Sequence, residues 1–418
     1  MAFRRHLADT RPLQNLYFRR LWLANIATVI GAQLTIVSVP AQIYLITGSS
    51  AYVGLTGVFG LVPLVVFGLY GGALADVFDR RTILIVTTWG LILTTGGLWV
   101  QAALGNQNVW LLLGLFAAQQ AFFAVNQPTR SAMLPKILPA EQLPAANALS
   151  MTLFGAGAVA GPLLGGALIP VLGFAWLYFL DTLTIFATLW AVTQLPKLPV
   201  EGATGRAGWR SVIEGFVYLR GHPVLLMSFV VDLIAMFFGM PRALFPEVAQ
   251  SSFGGPPAGG LAFAVLFAAM PAGVVLGGVI SGWVSRVQRQ GLAVVACIVV
   301  WGAAIVVLGA AVLMADGPSM PLLSLAALAL AVGGAADMAS SAFRTSMLQA
   351  SASDAVRGRL QGVFIVVVAG GPRLADVAHG AASPLIGPGW TITAGGILTI
   401  VGVLLAAALA PAFIRYRV

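Results

Sequence analysis

The sequence predicts an all-α integral membrane protein, with twelve transmembrane helices in two six-helix halves. Three observations carry this. Hydrophobic residues make up 59% of the 418-residue chain and charged residues only 8%, whereas about a quarter of a soluble domain is charged. The apolar residues gather into runs about as long as the roughly 20 residues that span a bilayer. Lys and Arg fall almost entirely into alternate hinges between those runs, the asymmetry that orients helices in a membrane.

The runs lie near 21–46, 53–75, 82–104, 109–133, 145–172, 176–195, 224–247, 260–284, 291–315, 321–350, 360–385 and 390–412. Only helices and closed barrels satisfy their backbones in lipid. The runs lack the period-2 alternation of barrel strands, so helices are expected. The first run places Asn25, Gln33 and Gln42 among apolar residues. The second ends in Gly71-Gly72 and a charged hinge holding Asp76, Asp79, Arg80 and Arg81. The fourth carries Gln119, Gln120, Asn126 and Gln127 and leaves through Arg130-Ser-Ala-Met-Leu. In the fifth, Gly157, Gly161, Pro162, Gly165 and Gly166 form a small-residue stripe. Gly-xxx-Gly spacing lets a neighbouring helix approach closely, and Pro162 bends the helix by removing a backbone bond. Asp181, near the start of the sixth run, reads as interfacial, as do Arg242 and Glu247 near the end of the seventh.

The longest polar stretch, 196–222, separates an N-terminal half (1–195) from a C-terminal half (223–418). Within it Trp209, Val212, Ile213 and Phe216 recur at i, i+3, i+4, i+7, the pattern of an amphipathic helix on the membrane face. The halves echo one another: Arg344-Thr-Ser-Met-Leu leaves the tenth run as Arg130-Ser-Ala-Met-Leu leaves the fourth, and Gly277-Gly278 precedes Arg286 and Arg289 as Gly71-Gly72 precedes Arg80 and Arg81. Such parallel repeats place a substrate site between two halves near mid-membrane.

All Lys and Arg except Arg242 and Arg373 lie at the termini or toward the even-numbered hinges; the loops near 47–52, 105–108, 173–175, 248–259, 316–320 and 386–389 contain none. Both termini are therefore expected in the cytoplasm. The net charge of +9 is spread over short hinges facing lipid headgroups, which argues against nucleic-acid binding. Cys297 is the only cysteine, and His6, His222 and His379 are far apart in sequence, so neither an internal disulfide nor a metal site of ordinary spacing is expected. No Gly-x-x-x-x-Gly-Lys-[Ser/Thr] loop is present, which argues against direct ATP use. No nucleophile–base or metal constellation gathers at one depth, so an enzyme is not expected, and no cofactor is called for.

Gly72, Leu74, Ala75, Asp76, Arg80 and Arg81 resemble the major facilitator superfamily loop signature Gly-x-Leu-Ala-Asp-x-x-Gly-Arg-Arg, with Val77 and Asp79 departing from it. The resemblance implies that Gly72, Asp76, Arg80 and Arg81 form a conformational latch on the cytoplasmic side. Gly157, Gly161, Pro162, Gly165 and Gly166 resemble the superfamily's antiporter signature, although Ala148 stands at its upstream Gly position. Asn15 through Trp22, Val39-Pro40-Ala-Gln42, Thr47 through Gly54 and Gly358-Arg359-Leu-Gln-Gly362 look like the enterobactin-exporter branch, and drug and macrolide exporters share these motifs. The implied function is proton-coupled export of a siderophore or similar amphipathic small molecule across the bacterial inner membrane, by a monomer. Broad drug efflux is the alternative, and a proton-coupled importer stands third.

Charges inside membrane helices are functional candidates by default. Asp232, Asp337, Asp376 and Arg373 are the proton-coupling candidates. Arg373 and Asp376 are three apart and can pair on one helix face, with His379 at the same spacing beyond. Asp232 and Asp337 have no partner within their own helices, and one of them is expected to titrate during transport. Asn25, Gln33, Gln119, Asn126 and Phe237 are the expected cavity lining, since aromatics with a few polar groups suit a bulky, partly apolar ligand.

Overall fold

A computed structural model of the protein describes residues 9–197, 217–351 and 354–417. At 69, 71–73, 75–77, 350–351, 354–366 and 368–369 only the backbone is described. Twelve long helices, and no strand, occur among the described residues. α1 (Leu16–Thr47), α2 (Ser50–Val77), α3 (Arg80–Ala103) and α4 (Val109–Ile137) are joined by short hinges. Leu143–Thr193 is one helical run broken at Gly173, where φ is 73°, a left-handed conformation that glycine adopts without steric cost. Its limbs, 143–172 and 174–193, are α5 and α6. Then come α7 (Pro223–Phe238), α8 (Gly260–Val279), α9 (Gln290–Met314), α10 (Met320–Ser351), α11 (Asp354–Ile386) and α12 (Pro388–Leu409).

Local chemistry sets several boundaries. Asn15 Oδ1 accepts from the Tyr17 and Phe18 N–H groups, which starts α1 earlier than its apolar run. Asp79 caps α3 through the Thr82 N–H, and Asn108 caps α4 through the N–H groups of Trp110 and Leu111; each cap satisfies donors a helix start leaves open. The seventh run was expected to continue to 247, but α7 stops at Phe238. Pro241 and Pro246 cannot donate to a helix ladder, and the chain instead makes short turns at Arg242–Leu244, Phe245–Glu247 and Val248–Ser252. α8 likewise ends at Val279 and gives way to a 3-10 turn over Ser281–Arg286. The amphipathic pattern at 209–216 lies outside the described residues.

The helices are apolar on all sides. Leu93, Val171, Val279 and Leu409 are all at least 70% exposed, surface that a water-soluble protein would not leave bare over such an extent and that lipid covers. Ten stretches of the described residues are long and apolar enough to cross a membrane, the α5–α6 run counting as one.

The chain forms two compact units. The first comprises Met1–Ser38, Val62–Gly161 and Leu172–Gly208. One of its cores joins Leu21, Leu84, Met133 and Val192, from α1, α3, α4 and α6. The second comprises Val39–Leu61, Pro162–Val171 and Trp209–Val418. Segments of α1, α2 and α5 next to Arg-free loops are therefore built into the same unit as α7–α12.

Candidate functional site

In the first unit the hinge arginines close helix ends. Arg80 Nη1 donates to the Ala132 carbonyl at 3.2 Å and Arg81 Nη2 to the Thr193 carbonyl at 2.7 Å. Thr193 is the last residue of α6, where the helix dipole favours a cation, and Ala132 lies a turn further in on α4. Of Gly72 and Asp76, the other expected latch residues, only the backbone is described. The glycine stripe of α5 packs as its spacing predicts. A Cβ on Gly157 would sit 2.3 Å from Val29 Cγ1, and one on Gly161 2.2 Å from Gln33 Cβ. Gln33, expected in the cavity lining, thus has its stem against α5.

Two more expected lining residues are placed differently. Gln119 and Asn126 are buried and bond across to α3: Gln119 Nε2 donates to Thr95 Oγ1 at 3.2 Å and Asn126 Nδ2 to Thr87 Oγ1 at 2.8 Å. In apolar surroundings an amide is better satisfied by a neighbouring helix than left unpaired. Asn25 is half-buried on α1 and Phe237 half-buried on α7, the latter edge-on to Phe238 with ring centres 4.8 Å apart. Asp181, read as interfacial, is 1% exposed and accepts a hydrogen bond from the Thr35 hydroxyl of α1.

The second unit gathers most of the buried charge. Asp232 was expected to lack an opposite charge; instead Arg344 Nη1 of α10 lies 2.6 Å from its Oδ2, with side chains 9% and 1% exposed. Asp337, two turns before Arg344 on α10, is within electrostatic reach of both. Asp232 and Asp337 thus belong to a triad around one guanidinium. The expected Arg373–Asp376 pairing on α11 is joined by Arg242 from the turn after α7, and Asp376 also accepts from the Ala243 N–H. Arg242, read as interfacial and half-buried in the structure, thus belongs to this charge cluster.

α2 crosses α11 at this cluster on a glycine stripe. A Cβ on Gly54 would come 2.6 Å from the Asp376 carbonyl, one on Gly57 2.1 Å from the Arg373 carbonyl, and one on Gly60 2.8 Å from Arg373 Nη1. A side chain at Gly54 or Gly57 would push the helices apart, and one at Gly60 would displace the Arg373 guanidinium. At the end of the crossing Glu247 Oε2 accepts from the Ser50 hydroxyl of α2 and from Ser383 of α11 (2.8 Å). Gly166 of α5 closes similarly on Ala264 of α8, its Cβ position 2.5 Å away. Pro162 and Gly165 complete the stripe in the same stretch of α5. This seam, with Ser50, Gly54, Gly57, Gly60 and Glu247, was not found from the sequence; only the three-residue spacing of the glycines could have pointed to it.

Solved structures share this architecture. A POT-family peptide transporter superposes with a TM-score of 0.75 at 14% identity, covering 96% of this chain and 95% of that one. The nucleoside transporter NupG gives 0.74 at 12%, covering 95% and 98%. The fold is that of the major facilitator transporters; the family and the curated relatives it matches make the protein a multi-pass membrane transporter of a small molecule, not an enzyme. The chain belongs to the transmembrane secretion effector family, whose model matches residues 8–413. Among curated proteins it is 27% identical to the enterobactin exporter of Escherichia coli O1:K1 / APEC and 28% identical to that of Shigella boydii serotype 18, over 390 residues, 93% of this chain and 90% of each relative.

Proposed function

We propose that the protein is a proton-coupled antiporter that exports a siderophore or similar amphipathic small molecule across the bacterial inner membrane by alternating access. Its moving halves are 1–195 and 223–418, and both termini face the cytoplasm, with the Arg-free loops outside. One observation carries the alternating-access reading: the seam of α2 on α11 and of α5 on α8. It is held by close glycine contacts, serine–carboxylate hydrogen bonds and a charge cluster. Such a seam seals without a large interlocked apolar core, and its polar groups can be satisfied by water when it parts. The Arg242–Asp376–Arg373 and Asp232–Arg344–Asp337 clusters supply carboxylates inside apolar helices, where a proton and a cation can exchange as partners. The full-length similarity to enterobactin exporters supports the substrate class, and the Gly157–Gly166 stripe with its packed helix contacts supports export.

Everted membrane vesicles from cells making the protein provide the test. With an imposed acid-inside gradient they should accumulate enterobactin, and an uncoupler should abolish this. Uptake of ethidium with no uptake of enterobactin would favour drug efflux, and gradient-driven loss of enterobactin from the vesicles would mark an importer.

A further inference from the structure

Asp181 is a buried acid that the charge clusters do not use. It lies on α6 about two turns after Gly173, facing α1, and is 1% exposed. Thr35 donates to its Oδ2, while its Oδ1 has no hydrogen-bond partner among the described residues. A Cβ on Gly31 of α1 would sit 2.8 Å from that oxygen, so α1 covers it with backbone alone. Among the described residues no Lys, Arg or His lies within ion-pair distance of Asp181. The cations of α1 and α3 lie at the far ends of those helices: Arg20 stacks on Trp190 and Arg81 bonds Thr193, both in the last turns of α6. The other ionisable group nearby, Tyr178, is fully buried one turn back on α6 itself.

An ionised carboxylate with one hydrogen bond and no cation is among the costliest groups to keep in an apolar interior. A carboxyl kept in such a place can be charged only while water reaches it. Thr35 lies one turn before α1 passes, at Ser38–Val39, from one compact unit into the other. The lid over Asp181 is therefore a stretch of helix next to a change of packing partner. We infer that Asp181 is a proton-carrying residue of the transport cycle, neutral while Thr35 and Gly31 cover it and ionised when α1 lifts and water enters. This rests on the antiport reading and adds to it an acid outside the α7, α10 and α11 charge clusters.

The full chain in proteoliposomes, with enterobactin as probe, tests this. Asp181→Asn should lose gradient-driven accumulation while keeping enterobactin binding and counterflow exchange, and Asp181→Glu should recover part of the uphill transport. The infrared spectrum of the wild type should show a protonated-carboxyl band that Asp181→Asn removes. If Asp181→Asn fails to fold, Thr35→Val serves: it should shift the pH profile of uphill transport and move the same band. Uphill transport by Asp181→Asn with unchanged proton movement, or a pH profile and band untouched by Thr35→Val, would overturn the assignment. If the wild type moves no protons with enterobactin, the antiport reading fails and the assignment falls with it; a wild type that moves protons alongside an Asp181→Asn that does too sinks the assignment alone.

Discussion

Breaking the Asp232–Arg344 pair is expected to cost more from one side than from the other. The guanidinium lies 2.6 Å from Asp232, with both side chains nearly fully buried. Removing one member of such a pair typically costs about 3–5 kcal/mol, because the other is left charged in the interior. Asp232→Asn leaves Arg344 facing Asp337, a replacement partner already within electrostatic reach, so its cost belongs at roughly the lower end of that range. Arg344→Met leaves Asp232 and Asp337 with no cation and belongs at roughly the upper end. The double change Asp232→Asn/Arg344→Met should cost less than the two single losses added together, by a coupling energy of about 2–3 kcal/mol, the size seen for directly interacting groups. Thermal unfolding in one detergent, followed by tryptophan fluorescence, reads the order directly: wild type highest, then Asp232→Asn, then Arg344→Met, with the double variant close to Arg344→Met and well above the position that added losses would give. Additive losses, or Asp232→Asn less stable than Arg344→Met, would refute the triad.

Further expectations concern the seam and the helix ends. In a Cys297→Ser background, Ser50→Cys/Ser383→Cys should form a disulfide on mild oxidation, since both hydroxyls meet one Glu247 oxygen. That disulfide should stop transport until reduced, and efflux by the oxidised form would show that the seam does not open. Gly57→Leu should abolish transport with insertion intact, because its side chain would run into the Arg373 carbonyl and Val377; transport at wild-type rates would show that α2 and α11 need not close. Arg81→Ala should lower stability by about 1–3 kcal/mol, the worth of a charge-assisted hydrogen bond, with Arg81→Lys recovering part of it in the same melting assay. Asn126→Leu should keep substrate binding and cost about 1 kcal/mol of stability, the scale of an interhelical hydrogen bond in a membrane; a large loss of enterobactin binding would return Asn126 to the cavity lining.

The helices were legible because a lipid-facing segment must be long and apolar, and nothing about its neighbours is needed to see that. The break between α5 and α6 was legible at Gly173 for the same reason. The end of α7 was misjudged because the apolar run continues past Phe238 while Pro241 and Pro246 break the backbone within it. Helix-to-helix partners were much less legible. That Arg344 belongs to Asp232, or that Arg242 joins Asp376, depends on packing between separate helices. Gln119 and Asn126 look alike in sequence whether they face a cavity or a neighbour's threonine. Asp181 was set aside for its place near a helix start, although the helix turns it inward to Thr35.

The central claim is coupled, opposed movement of protons and substrate. Purified protein in sealed vesicles, with enterobactin added on one side and no ion gradient imposed, can be followed by an internal pH dye and by enterobactin uptake together. The account predicts that enterobactin running down its gradient drives protons the opposite way, and that Glu247→Gln, at the seam, slows both fluxes in step. Enterobactin movement with no proton movement, or with protons travelling in the same direction, would contradict it.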